Sequence, residues 1–404
     1  MKARLVCLLL FSILCIWSCA KDEPAPQVLK ISENSLHFSG NGGAWQLTVK
    51  SNSSWKISGQ NSWCTSSKTT GNNTEYIMIK IDSNDTKASR TTRLLVSSDR
   101  SQAELTIEQD TASGNYHYTL PVIFHIFYGN EADSTQNIRS NIIHQIIEKC
   151  NDQYRKNINS VNMNTELVAA TEDPHGNILP EPGIERILKS NAVGMSCNNF
   201  MAETNTTDVH FVWDLNKYIN VFVFKFKETN ISGISHLPYT PRENSLVGLV
   251  ATNTYYTQQP NYVHCISLNG NYINEKDAYQ TLAHELGHYL GLFHTFVKEN
   301  CDEIGDYCDD TESYNRAEYE TWLKEQTPPM EFLKVVKRTA CGGSSFTSHN
   351  VMDYYYSYLD QFTPNQYSRI RHVLENSPLT PGPKNVIITR AAVEYEIPEV
   401  RFLP

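Results

Sequence analysis

One stretch of the chain gathers residues that could do metal chemistry: His284-Glu285-Leu286-Gly287-His288-Tyr289-Leu290-Gly291-Leu292-Phe293-His294. Residues four apart on a helix share a face, so His284 and His288 can present two imidazoles to one ion. Glu285 follows the first of them and stands beside such an ion, where a carboxylate can take a proton from zinc-bound water. A catalytic zinc keeps three protein ligands and one open position. His294 would be too far along a continuing helix to serve as the third. Gly291 removes that objection, because glycine tolerates the left-handed conformation that ends a helix and turns the chain back. A helix with three unrelated histidines would need all these positions to coincide by chance.

A site of this kind predicts a second motif downstream, a tight turn whose methionine packs beneath the imidazoles. Asn350-Val351-Met352-Asp353-Tyr354 fits, with Met352 as a packing residue and no ligand. Together, HExxHxxGxxH and such a Met-turn resemble the metzincin clan of zinc peptidases. HELGHYLGLFHTF and NVMDYYY are similar to the pappalysin family, and the resemblance runs from Tyr116 to about Pro381. It implies one catalytic zinc on His284, His288 and His294, with Glu285 as the base that also protonates the leaving amine. It further implies that Tyr354 binds zinc or steadies the tetrahedral intermediate. The other reading of Tyr354 is a packing tyrosine, with Tyr355 and Tyr356 next to it.

The elements that must position these residues lie in a chain of 404 residues with a net charge of −10, long enough for two or three domains with real cores. No basic cluster points to nucleic acid as a partner. No apolar run reaches the roughly 20 residues of a membrane span. Residues 1–18 read as a secretory signal: Lys2 and Arg4 precede a short apolar core that ends Ile16-Trp17-Ser18-Cys19. A small residue before Cys19 resembles a bacterial lipobox, which implies a lipid on Cys19 as the only membrane attachment; plain secretion is the alternative. The acidic residues just behind, in a spacer covering 19–27, are similar to a surface-export signal, so the expected location is the outer membrane, displayed at the cell surface.

Residues 28–110 are all-β in pattern. Trp45, Leu47 and Val49 alternate with polar neighbours, and Ile77, Ile79 and Ile81 alternate with Met78 and Lys80; short strands between turn-rich pieces suggest a β-sandwich. Trp55, Trp63-Cys64 and the closing Leu-Thr-Ile-Glu-Gln resemble the BACON domain, which implies an immunoglobulin-like sandwich and glycan or mucin contact; a stalk is the alternative. Residues 111–115 form a linker.

The domain 116–381 is expected to be α/β (α+β), a twisted sheet with helices against it. Leu120–Tyr128 and Ile219–Phe224 read as strands buried on both faces, with further strands at Leu246–Thr252 and Tyr262–Leu268. His125, inside the first strand, reads as a core or strand-edge histidine and not a ligand. Ile138, Ile142, Ile143, Ile146, Ile147, Cys150 and Tyr154 mark a helix with one apolar stripe. The metal helix is expected over Glu275–Leu290. An exposed edge strand above the cleft would take an extended substrate by main-chain hydrogen bonds, and Val263–Leu268 is the candidate. Thr363, Pro364 and Gln366 cap a last helix over 364–375. Residues 382–404 form a tail, read as a terminal strand or an ordered arm.

After His294 comes an acidic run with Asp306, Asp309 and Asp310. It suits calcium, as family relatives imply, or is a solvated loop. Seven cysteines follow Cys19, and an exported chain can form disulfides. Family bridges imply that Cys341 pairs with Cys301 or Cys308. Cys64 is either a buried sandwich residue or a cap on the zinc.

The expected function is a zinc-dependent endopeptidase acting on extracellular proteins or peptides. Two alternatives stand beside it: a surface adhesin or glycan-binding lipoprotein with a vestigial zinc site, and a zinc hydrolase acting on a non-peptide bond.

Overall fold

The computed structural model describes residues 28–384 and 402–403, apart from positions 39, 41, 83, 85–87, 111–115, 156–159, 257, 304 and 355. The signal segment, Cys19, the spacer and the linker therefore lie outside the described residues. Among the described residues no helix is long and apolar enough to cross a membrane.

The N-terminal part folds as two facing sheets. Its strands are β1 (Leu29–Ile31), β2 (Ser35–Phe38), β3 (Gly43–Ser51), β4 (Ser54–Ser58), β5 (Cys64–Ser66), β6 (Thr70–Asn72), β7 (Glu75–Ile81), β8 (Arg90–Ser97) and β9 (Gln102–Gln109). One sheet runs β1-β3-β7-β5 and the other β2-β9-β8-β4-β6. The alternating residues do what their period of two requires. Leu47, Val49, Ile77, Ile79 and Ile81 face Leu94, Val96, Leu105 and Ile107 in one core, with Trp55 and Cys64 among them. Cys64 is thus a core residue of the sandwich and stands nowhere near the histidines. The domain touches the rest of the chain through an ion pair between Glu33 and Lys217 at 3.4 Å and an edge contact between the rings of His37 and Tyr116.

The second part is built on a mixed sheet. It comprises β10 (Tyr118–Tyr128), β11 (Thr165–Ala169), β12 (Ile184–Leu188), β13 (Ile219–Phe224), β14 (Gly233–His236), β15 (Ile266–Asn269) and β18 (Phe402–Leu403). The order is β11-β10-β13-β15-β14-β18, with β12 pairing farther along β10. Strands β10, β13 and β15 are parallel, whereas β14 runs antiparallel to β15. The helices are α1 (Ser140–Arg155), α2 (Cys197–Met201), α3 (Ala278–Tyr289), α4 (Arg316–Lys324), α5 (Phe332–Val335) and α6 (Pro364–Asn376), and a small hairpin joins β16 (Lys337–Thr339) to β17 (Ser345–Thr347).

The continuous apolar runs of β10 and β13 follow from a sheet covered on both faces. Val122, Phe124, Ile126, Val221 and Val223 pack with α1 and α3 in the main core. Phe127, Phe222 and Phe224 point the other way, onto Phe200 and Phe226. Each such side chain contributes roughly 1.5–3 kcal/mol on full burial. His125 is buried between them: Nδ1 meets Glu185 at 2.6 Å and Nε2 meets Asn220 Oδ1 at 2.9 Å, and the ring stacks on Phe222.

Two expected strands and the expected edge need correction. Leu246–Thr252 forms no strand; it makes a single bridge, Ala251 to Thr240, because the chain turns at Gly248 with φ of +90°. Of Tyr262–Leu268 only the end enters the sheet. Val263–Leu268 is not an outer edge, since β15 lies between β13 and β14. The strand on the cleft side is β14, which pairs outward with Phe402–Leu403. That pairing places the end of the tail in the sheet.

Candidate metal centre

Helix α3 delivers His284, Glu285 and His288 from one face. It ends at Leu290, and Gly291 takes a positive φ of +92°, the backward turn its type permits. This turn brings His294 back. The three Nε2 atoms stand 3.0–3.1 Å from one another. His284 Nδ1 lies 2.8 Å from Val351 O, and His288 Nδ1 lies 2.8 Å from Leu292 O. A carbonyl only accepts, so both Nδ1 atoms carry the hydrogen and both Nε2 atoms present lone pairs. Burial disfavours protonation of all three rings: it pulls His284 down to about 4 and sets His288 and His294 well below their ordinary value. Neutral lone pairs gathered at this distance repel unless a cation sits among them. Ligand atoms held about 2.1 Å from a tetrahedral ion lie roughly 3.4 Å apart, close to the spacing here. The donor set therefore fits a divalent metal. Among the described residues this is the one His, Cys, Asp and Glu cluster with metal-holding geometry.

Glu285 is buried, and burial raises its carboxyl well above the usual range. Its Oε2 has no hydrogen-bond partner among the described residues. The side chain lies against Gly233, where a Cβ would come 2.7 Å from Glu285 Cγ and 2.9 Å from Oε1. The first residue of β14 is thus the roof over this carboxylate. Both line a cleft of about 690 Å³ that also exposes His284, Thr281, Arg316 and Tyr354.

The floor is the turn at Met352, which is fully buried. Its sulfur occupies the space beside Gly287 of α3. Met352 N donates to Asn350 Oδ1, and the Asn350 and Gln366 amides form a reciprocal pair at 3.0 Å. Gln366 is also the third residue of α6. The capping box with Thr363 is formed and Pro364 opens the helix, so the last helix grips the turn through its own cap. The Tyr354 ring lies 4.5 Å from His294 and 5.4 Å from His284.

Cys301 and Cys341 form a disulfide, and Cys308 is a buried free thiol. The acidic residues do not gather. Asp306 turns inward to accept from Thr311 and Cys308 N, Asp310 accepts from Asn365 N, and Asp309 is exposed. Sequence reasoning quoted Asp353 within the Met-turn but gave it no role, and it missed Gly233, Arg316 and Arg338 around the site. These three lie in no local pattern with the histidines, so no motif pointed to them.

Residues 203–375 match the family model described as pregnancy-associated plasma protein-A, peptidase M43. Residues 53–110 match the BACON model. Extracellular metalloprotease 1 of Coccidioides posadasii is 36% identical over 95 residues, covering 23% of this chain and 30% of the fungal protein. Human pappalysin-1 is 26% identical over 180 residues, covering 40% of this chain and 9% of that protein. The xyloglucan-specific endo-beta-1,4-glucanase BoGH5A of Bacteroides ovatus is 30% identical over 82 residues, covering 20% of this chain and 16% of the glucanase. The chain thus spans less than a third of the length of each of these relatives.

Proposed function

We propose that this chain, whose residues 203–375 match the M43 peptidase model and whose residues 53–110 match the BACON model, is a zinc-dependent endopeptidase of metzincin architecture. The catalytic domain would cover 116–381 and the sandwich 28–110. The observation that carries the reading is the triangle of Nε2 atoms beside the buried Glu285 carboxylate.

His284, His288 and His294 would hold the ion, with the first and second kept in the right tautomer by main-chain carbonyls. Zinc bound there would supply a Lewis acid and a water of lowered pKa. Glu285 takes a proton from the attacking water on a carboxylate oxygen and hands it to the leaving amine. Tyr354 donates from its hydroxyl to the oxygen that gains charge during attack. The main chain of Gly233 and Ile234, the part of β14 whose outer edge Phe402–Leu403 does not cover, aligns an extended peptide at the cleft wall. No calcium is assigned, since Asp306 and Asp310 are turned to different partners and Asp309 is exposed.

The substrates would be extracellular proteins or peptides. The extracellular relatives and the lipobox at Cys19 support a chain tethered by lipid at the outer membrane surface, with the sandwich as a glycan or mucin contact. Metal analysis, paired with digestion of casein and a peptide library, tests the core of this reading. Glu285→Ala should keep stoichiometric zinc and lose proteolysis, and His288→Ala should lose the zinc. Full activity in purified Glu285→Ala, or a wild-type protein without zinc, would overturn it.

A further inference from the structure

Arg338 is the middle residue of β16, inside the loop closed by Cys301 and Cys341. Its side chain has no exposure, although it is a cation. Aromatic faces cover it: the Tyr319 ring is 3.8 Å away and the Tyr314 ring 5.1 Å. Nη1 donates to Val335 O at 2.6 Å. Nη2 donates to Tyr356 O at 3.0 Å and to Tyr354 O at 3.3 Å. The guanidinium also stands 3.6 Å from Asp353 Oδ2.

Asp353 is the other half of this hub. Oδ1 accepts from the Tyr314 hydroxyl at 2.6 Å and from Tyr354 N at 2.7 Å, and Oδ2 accepts from the Ser348 hydroxyl. A buried carboxylate and a buried guanidinium are each costly alone, and together they persist through these bonds, with only Arg338 Nε left without a partner among the described residues. The consequence is specific. The peptide group before Tyr354 is held by Asp353, and the carbonyls of Tyr354 and Tyr356 are held by Arg338. The chain is thus fixed on both sides of the one side chain that stands over two imidazoles.

We propose that Arg338 is the positioning residue for Tyr354, and that the disulfide-closed insertion thereby sets where the Tyr354 hydroxyl stands relative to the three histidines. This rests on the reading of Tyr354 as a group that serves the reaction. An insertion that merely decorated the surface would not need a fully buried cation aimed at those carbonyls. Displacing a hydrogen-bond donor by about 0.5 Å is enough to spoil the geometry it must meet, and a backbone free to shift at residues 354–356 would allow that.

The test is a double-mutant cycle on the purified full-length chain. Tyr354→Phe is expected to lower kcat roughly 10- to 100-fold with KM little changed. Arg338→Met should give a fall of similar size and no further fall in the Tyr354→Phe background. Zinc content should stay at the wild-type value in each variant. A second readout needs no activity: in the metal-free protein, Arg338→Met should speed amide exchange at Asp353 and Tyr354 and leave α3 unchanged. Should Arg338→Met fail to fold, Arg338→Lys carries the same cycle, because it keeps the buried charge and loses the fork that reaches the carbonyls of Tyr354 and Tyr356. Multiplying effects of Arg338→Met and Tyr354→Phe, or unchanged exchange at the turn, would overturn the proposal. Wild-type kcat in Tyr354→Phe would instead remove the role of Tyr354 itself, and the proposal with it.

Discussion

A Cβ on Gly287 would lie 2.4 Å from the sulfur of Met352. The helix that carries the histidines and the turn beneath them are therefore in contact at a residue with no side chain. Gly287→Ala must displace the buried Met352 side chain, and with it the turn that carries it. Overpacking of this kind costs about 1–3 kcal/mol. Denaturant unfolding of the metal-free protein should show that loss, and zinc titration should show weaker binding, because Val351 O moves with the turn and holds His284. A variant with unchanged stability and affinity would mean that the turn yields freely.

Gly233 plays the corresponding part above the site. A methyl group there would meet Glu285 Cγ, Glu285 Oε1 and Thr281 Cγ2 within 2.9 Å. Gly233→Ala should displace the Glu285 carboxylate without touching a histidine. The expected result is a kcat lowered roughly 10- to 100-fold at full zinc content, read from steady-state peptide cleavage and metal analysis. Wild-type turnover would show that the strand can rise off the carboxylate without consequence.

Stability should depend on pH through His236, which lies in β14 but away from the metal ligands. Its Nε2 donates to Met201 O at 2.9 Å and its Nδ1 accepts from Cys265 N at 3.2 Å. Burial lowers its pKa from 6.5 to about 4. Between those values the unfolded chain binds more protons than the folded one. The contribution is complete above pH 6.5 and is lost as pH falls toward about 4, at roughly 1.4 kcal/mol per pH unit. His236→Gln should therefore show a shallower loss of unfolding free energy than the wild type between about pH 7 and pH 5. Equal slopes for the two proteins would exclude His236 as a source of the dependence.

The Cys301–Cys341 disulfide spans 40 residues. In the chain-entropy picture a loop of that size stabilises by about 4 kcal/mol. The double variant Cys301→Ser, Cys341→Ser should lose about 2–4 kcal/mol in denaturant unfolding, with the insertion exchanging its amides first.

How much of this was legible in the residues depended on range. The helix, its reversal at Gly291 and the cap at Thr363 and Gln366 are local, and each is written within a few positions. The two-faced strands showed themselves by unbroken apolar runs. By contrast, Gly233–His236 is four residues long and has no period of its own; pairing with β15 makes it a strand. Leu246–Thr252 has the composition of a strand but no partner to pair with, and Val247 is exposed. Arg338 and Asp353 meet across the insertion, and no spacing rule announces a buried ion pair between a hairpin and a turn.

The carbonyls of Val351 and Leu292, which hold two of the three imidazoles, are peptide oxygens. Every amino acid carries one. Replacing either residue alters shape and volume nearby, yet the acceptor that fixes each ring survives any single codon change. The basicity of these two rings is thus anchored to the path of the backbone. A change in that path, by a displaced turn as in Gly287→Ala, an insertion or a deletion, would retune it.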